Sequence, residues 1–169
     1  MPEFNGIHGT SQTAGRKICR QNFTIPDDQP PSNSMFGHGV YFYRQCKEAK
    51  WAAIKWGNKR RQANEDICII WVNIAYQDED AFFFSHEEFD LVVRQIEDKK
   101  GQRLSREKKN ILRAKILEEA VKASQASARL ILAELPAFGP CILGCIVRDI
   151  EILPHQANYK IELVQPWTA

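Results

Sequence analysis

Three groups of residues have the types and spacing to hold a ligand: His8-Gly9-Thr10, the run Phe36-Gly37-His38-Gly39-Val40-Tyr41-Phe42, and Trp51. Gly37 and Gly39 stand directly before the strand-forming residues Val40 to Tyr43. Glycine at the mouth of a strand means either a sharp backbone turn or a second molecule pressed against the main chain. Tyr41 and Trp51 offer flat aromatic faces, and His8 offers a hydrogen-bonding ring. Each also has a plain structural reading. A histidine before Gly-Thr is commonly a turn residue, Tyr41 suits the core of an apolar strand, and Trp51 suits a packed helix. Order and spacing separate the two readings.

These groups need elements to position them. Thr10-Ser11 caps a short helix through Ala14, Ile18 and Phe23. The segment 25–34, rich in Pro, Asp and Ser, has no apolar periodicity and reads as a loop. Strand 40–43 follows, then a helix from about Cys46 to Trp56 with Ala49, Ala52, Ala53 and Trp56 on one face. Residues 67–76, ICIIWVNIAY, are those of a strand buried on both faces. Ser85 to Glu88 forms a capping box, and Phe89, Val92, Val93 and Ile96 then recur at helical spacing. After a break at Lys99-Lys100-Gly101-Gln102, a second helix is expected from about Ser105 to Leu135, with Leu112, Ile116, Ala120 and Ala123 on its apolar stripe. Its charges, Arg106 to Lys109, read as a solvated face. Pro136 and Gly139-Pro140 stop that helix, and strands follow at 141–153 and 159–164. Strands at both ends with helices between them make an α+β domain with a largely antiparallel or mixed sheet.

Composition narrows the function classes. The 169 residues fit one domain with a real core, and 23 basic against 21 acidic residues leave a net charge of +2. No broad field points to nucleic acid. No apolar run reaches the ~20 residues of a membrane span, and MPEFNGI lacks the regions of a signal peptide. The five cysteines include no CxxC pair and have no nearby histidines at zinc-finger spacing. They read mostly as small buried residues in a reducing compartment. The expectation is an intracellular chain, in cytoplasm or nucleus, without metal or membrane.

In this order and spacing, the set resembles the catalytic domain of the poly(ADP-ribose) polymerase family, the diphtheria-toxin-like ADP-ribosyltransferases with an H-Y-E signature. That family opens with strand-His-Gly-Thr/Ser and a helix. It continues with Gly-x-Gly-(Ile/Val)-Tyr-Phe, then a helix carrying a small residue and an aromatic, here Ala49 and Trp51. The closing run from Cys145 to Pro154, followed by Tyr159-Lys160-Ile161, is similar to the family's last strands. The resemblance covers roughly residues 5–76 and 141–164. It implies a single PARP-like ADP-ribosyltransferase domain over residues 1–169, with 85–135 as a helical insertion that has no counterpart in the family pattern. The few residues before His8 point to truncation or a boundary in a longer chain.

By resemblance, NAD is the co-substrate. Gly9 and Thr10 would hold the carboxamide end of the nicotinamide, and Tyr41 and Trp51 would sandwich its ring. His8 would bond the adenosine ribose, and Gly39 would let the second strand bend beneath the ligand. A flat cationic ring suits π faces, and an amide needs backbone groups left uncovered. The third signature residue is missing: Ile142-Leu143-Gly144-Cys145 has no carboxylate. A carboxylate there would steady the developing oxocarbenium, and losing such a group typically slows catalysis ~100- to 1,000-fold. Glu151, further along, is the first substitute to consider. Glu87 and Glu88 are explained by capping, and Glu162 faces solvent. The resemblance with this gap implies a mono-ADP-ribosyltransferase acting on a macromolecular acceptor, a protein rather than nucleic acid, and not a polymerase. The alternatives are an inactive PARP-like module that binds NAD or a protein partner, and an NAD glycohydrolase.

Overall fold

Strand β1 (Glu3–Ser11) lies between β2 (Val40–Arg44) and β3 (Ile67–Ala75), and everything that positions the site is built out from it. The computed structural model describes residues 1–25, 35–124, 127–139 and 141–166. The loop expected at 25–34 therefore lies, beyond Ile25, outside the described residues. With β4 (Ala81–Phe83), β5 (Leu130–Pro136), β6 (Cys141–Val147) and β7 (Lys160–Val164), the strands make one sheet in the order β4-β5-β6-β2-β1-β3-β7. Only β4 and β5 run parallel; the other pairs are antiparallel. Helices α1 (Gln12–Gln21), α2 (Lys47–Arg60), α3 (His86–Lys100) and α4 (Arg106–Ser124) complete a mixed α+β domain. No helix among the described residues is long and apolar enough to cross a membrane.

Local chemistry explains the helix ends. Ser11 Oγ accepts the Ala14 N–H (3.2 Å) at the start of α1, an N-cap of ordinary kind. Cys46 Sγ takes the same part for α2, accepting from Ala49 N–H at 3.3 Å. Ser85 Oγ accepts the Glu88 N–H at the start of α3 (3.4 Å), and Gly101 closes that helix in the left-handed region at φ 63°. Helix α2 buries Ala49, Ala52, Ala53 and Gly57, a small-residue stripe that lets it lie close on the sheet. Strand alternation then separates two cores. Ile7, Tyr43, Ile67 and Ile69 join Phe89, Val93 and Leu117 from the long helices in one. Phe4, Phe42, Cys68 and Ile70 join Phe23, just beyond α1, and Tyr159 in the other.

Several expectations need correction. His8, Gly9 and Thr10 lie inside β1 and not in a turn. Residues 130–136 form β5, not the end of a helix, so the helical arm is confined to 86–124. A short apolar run such as Leu130-Ile131-Leu132 fits either period. Pairing with β4 on one side and β6 on the other decides it, after Ala128 has turned the chain at φ 44°. β6 stops at Val147, and Ile150–Ile152 is a 3-10 turn. The buried line of α4 is Arg113 and Leu117, whereas Leu112, Ile116 and Ala120 are half-buried and Ala123 is exposed. Of the cysteines, Cys68 and Cys145 are buried, Cys19 is half-buried, and Cys46 and Cys141 are exposed.

Candidate functional site

The β1–β2 ladder lasts only from Gly6↔Arg44 to Ile7↔Tyr43. Beyond that point the strands part, while β1 stays paired with β3 as far as Ser11↔Ile67. Gln12 N–H bonds Asp66 O toward β3, and Gln45 N–H bonds Asn5 O on the other edge. By alternation, the even residues of β1 bond toward β3 and the odd ones toward β2. The N–H and C=O of Gly9 therefore point to the β2 side, past the end of the registered ladder. Where the strands part, the His8 ring spans the gap. Its Nδ1 donates to the Tyr41 carbonyl at 2.9 Å.

A cavity of about 530 Å³ opens at this split. Its sheet wall is Ile7, His8 and Gly9 from β1 with Tyr41 and Tyr43 from β2; α2 adds Trp56 and Arg60. The opposite wall is α4, through Arg106, Lys109, Asn110 and Arg113. No aspartate or glutamate lines it among the described residues. A second depression of similar volume, between Glu3, Arg44, Lys47 and Trp71, is a wide surface dent edged by exposed polar chains.

His8 packs edge-on against Phe23 (centroids 5.1 Å) and beside Phe42 (5.7 Å). Burial pulls its pKa from 6.5 down to about 4; the Tyr41 carbonyl opposes this and the Arg60 charge adds to it. The ring is thus neutral at pH 7. A carbonyl only accepts, so the proton sits on Nδ1, and Nε2 presents a lone pair with no partner among the described residues. Tyr41 lines the cavity, while its hydroxyl accepts the Phe36 N–H (3.0 Å) and donates to Gly37 O (2.9 Å). Tyr43 donates to Pro136 O (2.8 Å) and accepts the Trp56 Nε1–H (2.7 Å). Burial raises the Tyr43 pKa, so the phenol keeps its proton.

His8, Gly9 and Tyr41 therefore meet at one cavity, and the remaining expected residues do not. Trp51 points elsewhere: it packs edge-on to Phe138 (6.2 Å) under the Lys55 ammonium, 3.8 Å from the ring centroid. Helix geometry forces this, since Trp51 lies about 200° around α2 from the sheet-facing Ala49 and Ala53. Gly39 does not line the cavity either. At φ 151° it turns the chain onto β6, where an added Cβ would lie 2.4 Å from Ile146 Cγ2. Close packing on Ile146 and Val147 of β6 is enough to require a glycine here. Thr10 is buried in β1 against α2. Glu151 is 83% exposed on the 3-10 turn, 3.8 Å from Arg129, and makes no part of the cavity. Glu162 is ion-paired with Lys50 at 2.7 Å rather than simply facing solvent.

Sequence reasoning missed Tyr43, Trp56 and the α4 face as parts of the site. The signals were present: Tyr43 is two residues from Tyr41 on the same strand face, and Arg106, Lys109, Asn110 and Arg113 fall at i, i+3, i+4 and i+7. A scan of the sequence against protein-family models finds no match, and neither does a search of curated proteins.

Proposed function

We propose that the protein is an NAD-dependent mono-ADP-ribosyltransferase of PARP-like fold, releasing nicotinamide and passing one ADP-ribose to a protein acceptor. One observation carries the reading: β1 and β2 part so that His8 and Tyr41, 33 residues apart in the chain, bond to each other at the mouth of a cavity. That juxtaposition is what the resemblance of the two motifs requires. In this reading the Gly9 N–H and C=O pair with the carboxamide of nicotinamide. The Nε2 lone pair of His8 accepts from a ribose hydroxyl. Tyr41 and Tyr43, rather than Tyr41 and Trp51, face the nicotinamide ring. Its C1′–N bond breaks with the electron pair returning to the pyridinium, and the acceptor's nucleophile bonds C1′ and gives up its proton.

Among the described residues the cavity wall has no carboxylate to balance the cationic transition state or to activate a sugar hydroxyl for elongation. A single ADP-ribose, slowly transferred to an acceptor that brings its own negative charge, is the expected product. The same observation favours the second reading, a silent NAD-binding module. Incubation with labelled NAD and a cell lysate, followed by the mass added per site, separates them. One ADP-ribose per site supports the transferase, and long polymers reject it. NAD binding by calorimetry without any transfer moves the assignment to the module. Tyr41→Ala should weaken benzamide binding by about 1–3 kcal/mol, the scale of ring-on-aromatic stacking.

A further inference from the structure

Arg113 is 7% exposed, yet it has no ion-pair partner within 4 Å among the described residues. Its Nη1 donates to Asn110 Oδ1 at 3.1 Å, its guanidinium stacks 4.2 Å over Phe89, and its Nε–H has no partner among the described residues. A buried cation left in this state is expensive and is usually resolved by an anion. The side chain lines the cavity, where Arg106 and Lys109 precede it on the same face of α4 and Arg60 stands on α2. Lys109 is offset by Glu97 (3.1 Å), and no described carboxylate pairs with Arg60 or Arg106. The cavity therefore carries a concentrated positive wall with no acidic residue among the described residues of its lining, in a chain whose net charge is only +2.

We infer that this α4 wall, with Arg113 at its buried end and Arg106, Lys109 and Arg60 toward its mouth, is a binding site for a diphosphate group. Arginine forks match phosphate oxygens, and buried stacked guanidinium is the form in which such contacts are strongest. The run from Arg106 to Arg113 spans about 10 Å of helix, a length that suits two linked phosphates better than one. The site stands on this geometry alone; that the diphosphate belongs to a dinucleotide rests on the function proposed above. The wall comes from the helical arm, which has no counterpart in the family resemblance, so it is a feature of this chain.

The test titrates the full chain with inorganic pyrophosphate, ADP-ribose and benzamide, following binding by calorimetry. Pyrophosphate and ADP-ribose should bind. Arg113→Met, which keeps the stack on Phe89, should weaken both by ~10- to 100-fold, the loss of a charged hydrogen-bonding partner. It should leave benzamide affinity unchanged and hold or raise the melting temperature, because a buried charge with no carboxylate in ion-pair contact, only the more distant Asp90, is gone. Arg106→Gln with Lys109→Gln, nearer the surface, gives a second measurement free of core packing and should weaken pyrophosphate as well. No pyrophosphate binding to the unaltered protein, or equal affinity in both variants, overturns the site. Benzamide bound without pyrophosphate overturns the diphosphate site and leaves the nicotinamide reading standing; pyrophosphate bound without benzamide does the reverse. Displacement of pyrophosphate by NAD assigns the group to the dinucleotide, and simultaneous binding of the two overturns that assignment.

Discussion

The two edges of β1 are built for opposite purposes. Toward β3, every residue from Glu3 to Ser11 has a registered partner. Toward β2, pairing ends after Gly6 and Ile7. A fully paired edge satisfies its backbone groups and fixes the strand, whereas an open edge leaves donors and acceptors that need another partner. The closed edge allows the open one. Because β3 holds β1 straight, β2 can leave without the strand collapsing, and the gap is filled from one side by the His8 ring. The walls of α2 and α4 shelter what remains exposed. A site made of main-chain groups needs this kind of asymmetry within one strand.

The largest effect should come from filling the space at Gly9. An added Cβ would lie 1.8 Å from Ala53 O, a backbone atom of α2 that cannot move without the helix. Gly9→Val should therefore destabilise the fold by about 3–5 kcal/mol, or prevent folding. Urea denaturation monitored by circular dichroism would show it. A stable Gly9→Val protein would mean that α2 is not seated against β1 as described.

The open edge should show itself through pH. His8 is held near 4 in the folded chain against 6.5 for the free side chain. Above pH 6.5 both states carry a neutral ring, and the full stability is present. Between 6.5 and about 4 the unfolded chain takes up a proton that the folded one refuses, so stability falls as pH falls. The loss should approach roughly 3 kcal/mol by pH 4. Other groups titrate in this range too, so the measurement is the difference between the unaltered protein and His8→Gln, whose stability should fall less steeply. Parallel curves would show that the ring is not buried in the split.

Tyr43 ties the two regions, joining β2 to Pro136 at the end of β5 and to Trp56 of α2. Tyr43→Phe leaves the Trp56 N–H and the Pro136 carbonyl without that partner, at a cost of about 1–3 kcal/mol. Thermal unfolding would measure it. An unchanged midpoint would show that these groups find water.

The elements around β1 were legible because each carries a local signal. The caps at Ser11 and Ser85, the apolar run 67–75 and the small-residue face of α2 all state their own structure, although only Ile67–Ile70 of that run are buried on both faces and Asn73 and Ala75 are exposed. What failed was information held by partners. Leu130-Ile131-Leu132 becomes a strand because β4 and β6 flank it; β6 follows closely in the chain, but β4 lies far before it, beyond both long helices. The sequence around Gly39 does not announce its neighbour, because Ile146 on β6 is over a hundred residues away. The site divides the same way: His8, Gly9 and Tyr41 could be read from two motifs, whereas the α4 wall depends on where the helical arm folds back.

The smallest predicted effect discriminates best between the motif and the geometry. The family resemblance gives the second stacking aromatic to Trp51; the structure turns that ring toward Phe138 and Lys55 and gives the cavity Tyr43 and Trp56. Trp51 is only half-buried and bonds no residue of the site, so Trp51→Ala should alter benzamide affinity by less than about 0.5 kcal/mol, as for a surface substitution. Trp56→Ala should weaken it, because it removes cavity wall and leaves the Tyr43 hydroxyl without its donor. The contrast holds only if α2 keeps its rotation on the sheet, and Ala49 and Ala53 fix that rotation by being buried at zero exposure. Calorimetry of the two variants side by side would settle which face of α2 serves the ligand. A loss at Trp51 of the size expected for Trp56 would mean that the helix turns when the ligand binds, and that the open edge of β1 is completed by motion rather than built in advance.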